Sequence, residues 1–137
     1  MTASSATPVV DGTETHHGPQ TALDYADQLL REPDASTVGL WPRTAARLIR
    51  LSIERATEGH WKRTRPEVCD CPTTVRLYML DGVLGRAGAR EAYLLWSRLS
   101  DATHPHPYEL APTVAELRSW HDAAKVLVER LGAGVEP

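Results

Sequence analysis

Phenylalanine is missing from this 137-residue chain, and aromatic residues make up only 6% of it. Leu, Val, Ile, Ala and the four tryptophans must therefore supply the packing. Cysteine is nearly absent too: Cys69 and Cys71, two positions apart, cannot build a secreted disulfide scaffold. No apolar run approaches the roughly 20 residues that a bilayer-crossing helix needs. Residues 1–7 lack the charged start and apolar centre of a secretory signal, so a cytoplasmic protein is expected. Excess charge of one sign is lacking as well. A formal charge of −3 argues against a general nucleic-acid coat or a binder of anionic membranes. It leaves room for a local basic patch, because Arg43, Arg47, Arg50, Arg55, Lys62, Arg63 and Arg65 fall within one short span. Finally, there is no Gly-rich phosphate loop, no Ser/His/Asp order, no HExxH pair and no helix-turn-helix signature.

Strand-like alternation is absent over any useful length, whereas three-to-four spacing recurs, so the expectation is an all-α, antiparallel four- to five-helix bundle. Residues 1–20 are rich in Ser, Thr, Pro and Gly and read as a disordered tail; residues 21–132 form one domain, and 133–137 a disordered end. A first helix opens at Thr21, whose hydroxyl would cap it, and stops at Pro33, with Leu23, Ala26, Leu29 and Leu30 on its apolar face. A longer second helix starts near Pro42 and runs towards Pro66, with Ala45, Leu48, Ile49, Ser52, Ile53, Ala56 and His60 along one side. A third begins around Pro72; Val75, Leu77, Tyr78, Met79, Leu80, Val83 and Leu84 leave it little polar surface, which marks it as the central element. After a turn bracketed by Gly85 and Gly88, a fourth helix carries Ala89, Ala92, Tyr93, Trp96 and Leu99 on one stripe. The fifth starts at a Thr113-x-x-Glu116 capping box and continues through Leu117, His121, Ala124, Val128 and Leu131.

The densest gathering of titratable and aromatic groups is the stretch 96–108, which runs off the end of the fourth helix into an expected loop, 98–108, before the fifth. His104 and His106 are separated by prolines that hold the backbone extended, so both rings point the same way. Either they face a shared phosphate, metal or carboxylate, or they plug a helix junction. An imidazole titrating near neutrality suits proton transfer at an RNA hydroxyl. Arg98 offers a guanidinium for bidentate phosphate binding, or else simply complements a helix C-terminus. Asp101 and Tyr108 complete the candidate surface. Cys69, Cys71, His104 and His106 are together a donor set that zinc accepts; the ordinary reading is two reduced thiols, and no metal or cofactor is expected. Glu54 is either an ion-pair partner on a solvated face or an inward carboxylate. His60 and His121, on apolar faces, read as buried histidines with hydrogen-bond partners.

Two pieces of the chain resemble the HEPN superfamily of small helical bundles. One is the second-helix run from Ala45 through Arg50 and Glu54; the other is Arg98-x5-His104 with Tyr108 after it, followed by the amphipathic helix over 113–131. The resemblance implies an RNA-binding domain or a metal-independent ribonuclease that works as a homodimer. On it, Arg98 would hold the scissile phosphate and His104 would assist proton transfer at the 2′-hydroxyl, with His106, Tyr108 and Asp101 binding substrate. Leu99 stands where active members carry a polar residue after the arginine, which points towards members that keep the bundle and lose cleavage. The rival expectation, from another class, is a non-catalytic protein-interaction module.

Overall fold

The computed structural model describes residues 18–32, 41–104 and 110–133. The expected tail over 1–17, the stop at Pro33, the segment holding His106 and Tyr108, and residues 134–137 lie outside these. Five α-helices and a 3-10 turn make up the described chain, with no strand among them.

Helix α1 spans Pro19–Arg31 and begins two residues earlier than expected. Proline suits a first-turn position because its missing N–H would be an orphan donor there anyway. Gly18, without any side-chain cap, precedes it, so Thr21 lies inside the first turn instead of capping it. Ala22, Leu23, Ala26 and Leu30 are its buried side.

Helix α2, Trp41–Thr64, packs against every other element. It is the central helix, a role the sequence assigned to the segment after Pro72. Its buried stripe holds Ala45, Ala46, Ile49, Ile53, Ala56 and Trp61, and small residues there let neighbouring helices approach closely. Two buried hydroxyls return their protons to the helix itself: Ser52 donates to the Ile49 carbonyl at 2.6 Å and Thr57 to that of Ile53 at 2.8 Å.

After a 3-10 turn at Pro66–Asp70 come a six-residue helix α3, Thr73–Tyr78, and then α4, Asp81–Thr103. The apolar run over this region buries only Leu77, Leu80 and Leu84, while Val75, Tyr78 and Val83 face outwards. It is too interrupted to be a core helix: α3 ends at Tyr78, and α4 is broken at Gly85, whose φ of 77° is a left-handed value that favours glycine. The chain turns back on itself there. Gly88, expected to bracket the turn with Gly85, lies instead within the helix that follows, where a Cβ would meet the Leu84 Cβ at 2.9 Å. Beyond the break α4 buries Ala89, Ala92, Leu95, Leu99 and Thr103 at three-to-four spacing.

Helix α5, Val114–Ala133, opens with the expected reciprocal cap. The Glu116 N–H donates to the Thr113 hydroxyl at 3.1 Å, and the Thr113 N–H donates to the Glu116 carboxylate at 3.1 Å. Side-chain bonds fix the helix directions. Arg50 reaches Thr103 while Glu54 reaches Trp96, so α2 and α4 run antiparallel. Leu23 meets His121 while Asp27 meets Arg118, so α1 and α5 do too. The bundle is all-α, and none of its described helices is long and apolar enough to cross a membrane.

Candidate functional site

Helix α4 continues through Thr103 because Leu95, Leu99 and Thr103 extend its buried stripe to the end. Arg98 and Asp101 therefore ride on its last turns and not in a loop, which corrects the expectation for 98–103. His104 leaves the helix in extended geometry, φ −94° and ψ 134°, as a residue preceding proline must.

Three contacts with α2 lock this end of α4. The Arg43 guanidinium donates to the His104 carbonyl at 2.6 Å, Arg50 donates to the Thr103 hydroxyl at 3.2 Å, and the Trp96 indole donates to the Glu54 carboxylate at 2.9 Å. Glu54 also lies 3.7 Å from the Arg50 Nε, so it holds both partners at once. Of its two expected roles, ion-pair partner and inward carboxylate, it fills the first with Arg50 and faces α4 through Trp96. The Ala45-to-Glu54 run thus orients the α4 terminus from which Arg98 projects.

Arg98 and Asp101 come together on an open cleft of about 310 Å³ between α4 and α5, shared with Ala102, Leu110, Pro112, Glu116 and Trp120. His104 is exposed and is not among the residues lining that cleft. The cleft contains one guanidinium and two carboxylates, so its own charge balance is acidic. His106 and Tyr108 lie outside the described residues.

Cys69 and His104 do not share a site. The Cys69 thiol contacts the Glu58 carbonyl at 3.8 Å, near one end of α2, whereas His104 is tied to Arg43 near the other. Fifteen residues of helix, about 22 Å, separate those anchors. Among the described residues no group of three or more His, Cys, Asp and Glu side chains is placed to hold a metal ion.

His121 is buried with its Nε2 2.9 Å from the Leu23 carbonyl, the partnered histidine expected. His60 is buried edge-on against Trp61, and its Nδ1 has no partner among the described residues. Burial pushes its imidazole below the ordinary value, and nearby Arg63 adds to the effect. The Arg118 guanidinium, 2.6 Å from Asp27, holds that carboxyl below the usual carboxylate range.

The basic span on α2 is largely consumed internally. Arg50 pairs with Glu54, Arg55 and Lys62 with Glu58, Arg65 with Glu67, and Arg43 serves a backbone carbonyl. Arg47 and Arg63 of that span remain exposed and without a partner among the described residues, and a longer row of such cations lies on α4. Arg86, Arg90, Leu94 and Arg98 form one i, i+4 row, all four exposed, and the three arginines make no hydrogen bond or ion pair among the described residues. Sequence reasoning passed over Arg86 and Arg90; their four-residue spacing to Arg98 through Leu94 was the available signal. Next to the start of this row, Tyr78 and Tyr93 stack with ring centroids 4.8 Å apart and planes at 24°. No periodicity in the sequence announced that pair, because the reversal at Gly85 creates it.

No protein-family profile matches the chain, and no curated protein or solved structure shows significant similarity to it.

Proposed function

We propose that this domain binds single-stranded RNA along the exposed face of α4. The observation that supports the reading is the row of unpaired guanidiniums at Arg86, Arg90 and Arg98, flanked at one end by the stacked tyrosines and at the other by Trp120. Successive positions four apart rise about 6 Å along a helix. The row therefore presents a ladder of phosphate contacts about 18 Å long, with aromatic faces beside it on which bases stack. Asp101, at the Arg98 end, accepts a hydrogen bond from a ribose hydroxyl, and exposed His104 adds a further contact. Binding takes precedence over cleavage in this reading. Asp101 and Glu116 beside Arg98 oppose the negative charge that builds on phosphorus during transfer, and His104 stands outside that cleft.

The test is fluorescence anisotropy of a labelled 12-nucleotide single strand titrated with the full chain at several salt concentrations. Three phosphate contacts give a slope of log K against log salt of about −2, or about a 20-fold loss between 50 and 200 mM. Arg98→Ala should weaken binding and flatten the slope by about 0.7. A salt-independent affinity, or an unchanged slope in the variant, would overturn the reading.

A second reading is favoured by Leu110, 97% exposed at the rim of the Arg98 cleft. This end of the bundle then docks a protein, a second copy of the chain being the simplest case. Sedimentation that is independent of concentration and unaltered by Leu110→Asp rejects self-association.

A further inference from the structure

We infer that the cleft between α3 and α4 beside Tyr78 and Tyr93 is a nucleotide site, selective for a base that carries an exocyclic amino group. The inference deepens the RNA-binding reading, and its polymeric form rests on that reading. The cleft's own chemistry does not.

The cleft measures about 510 Å³ and is lined by Tyr78, Asp81, Arg86, Ala89, Arg90, Tyr93 and Leu94. That volume falls in the range of small-ligand sites. Its wall is a two-ring stack continued inwards by Trp96, whose ring centroid is 6.4 Å from that of Tyr93. Tyr78 is the outermost ring and is 54% exposed, so one aromatic face is left without a neighbour ring. A planar heteroaromatic ligand extends the ladder by stacking there. Two guanidiniums against one carboxylate make the lining net cationic, which disfavours a cationic guest such as a methylated ammonium and favours an anionic tail. Arg86 and Arg90, one helical turn apart, suit a phosphate held between them.

Asp81 supplies the selectivity. Its carboxylate lies on the same cleft and makes no hydrogen bond or ion pair among the described residues. An ionised carboxylate only accepts hydrogen bonds, so it recognises an amino donor of adenine or cytosine and opposes the carbonyl that uracil offers at the equivalent edge. A planar base, a phosphate and a donor edge together define a nucleotide, presented either as a free 5′-monophosphate or within a single strand.

The experiment has two arms on the full chain. In the first, labelled (rA)12 and (rU)12 are titrated by anisotropy against wild type, Tyr78→Ala, Tyr78→Phe and Asp81→Asn. Expected are tighter binding of (rA)12, at least about a fivefold loss for Tyr78→Ala, no loss for Tyr78→Phe, and a collapse of the A-over-U preference in Asp81→Asn. In the second, AMP and ribose 5-phosphate are added separately to ¹⁵N-labelled protein, and AMP alone should shift the amide signals of Tyr78, Asp81 and Tyr93. Binding of (rA)12 that ignores both Tyr78→Ala and Asp81→Asn overturns the cleft assignment and leaves the RNA reading standing. Shifts with AMP but no oligonucleotide binding support the cleft with free nucleotide as its ligand, and overturn the RNA reading. Silence in both arms overturns both.

Discussion

Replacing Glu54 with alanine should loosen the end of α4 on which Arg98 is carried. The carboxylate accepts the Trp96 indole proton at 2.9 Å and sits 3.7 Å from Arg50, which in turn holds the Thr103 hydroxyl. Its removal leaves a half-buried indole N–H without an acceptor and a half-buried guanidinium without a counter-charge. Hydrogen bonds to charged groups contribute about 1.5–3 kcal/mol. The Glu54 side chain keeps 31% exposure, so water replaces part of what is lost and the lower half of that range applies. A destabilisation of about 2 kcal/mol follows, or a fall in Tm of about 8 °C for a domain of this size. Glu54→Gln keeps an acceptor for Trp96 while losing the charge, and should cost about half as much. Thermal denaturation followed by circular dichroism measures both. The Glu54→Ala/Trp96→Phe double variant should show a coupling of about 1 kcal/mol, because each single change already removes the shared bond. An alanine variant melting within about 2 °C of the parent, or a glutamine variant as damaged as the alanine one, would refute the reasoning.

Thr113→Ala removes the hydroxyl that accepts the Glu116 N–H and should lower stability by about 1 kcal/mol in urea titrations; restoration by Thr113→Ser checks that the cap is responsible. Because burial holds the His60 imidazole below its ordinary 6.5, the unfolded chain takes up the proton more readily than the folded one. Stability from this group is complete above pH 6.5 and is lost as the pH falls below that value. Urea midpoints at pH 7.5 and 5.5 should therefore differ more in wild type than in His60→Gln, and equal differences would dismiss the group as a source. RNA incubated with the protein in EDTA should stay intact on a denaturing gel; cleavage abolished by His104→Ala would instead restore the ribonuclease expectation.

Elements whose boundaries depend on local chemistry were readable in the chain. The Thr113–Glu116 box sits at the start of α5 because a hydroxyl and a carboxylate three residues apart satisfy two orphan amides without outside help. Ala89, Ala92 and Leu99 of the expected α4 stripe are buried, while Leu95 takes the central place and Tyr93 and Trp96 stay half-buried at its edge. What depended on distant partners was not. The Arg43 contact with the His104 carbonyl, 61 residues away, carries no local signal; the ion pairs of the basic run, to Glu54, Glu58 and Glu67 two to four residues off, are local, and of these only Glu54 was read as a partner. The apolar run from Val75 to Leu84 looked like a core helix because hydrophobicity was counted without direction. The turn at Met79 and Leu80 splits it, the break at Gly85 ends it, and three of its seven large side chains, Val75, Tyr78 and Val83, end outside. Arg98 and Asp101 both belong to the 96–108 stretch that the sequence singles out, whereas the Trp120 and Glu116 that join them on the cleft come from a different helix.

A single achiral residue thus governs the geometry of two phenol rings fifteen positions apart. With nothing within 4 Å of where a Cβ would stand, Gly85 is held by its torsion angles alone and not by crowding. A D-alanine at that site, introduced by semisynthesis, would suit the left-handed torsion, whereas L-alanine would strain it. The wall of the cleft could in this way be stiffened or sprung by inverting one stereocentre, with every atom of its lining unchanged.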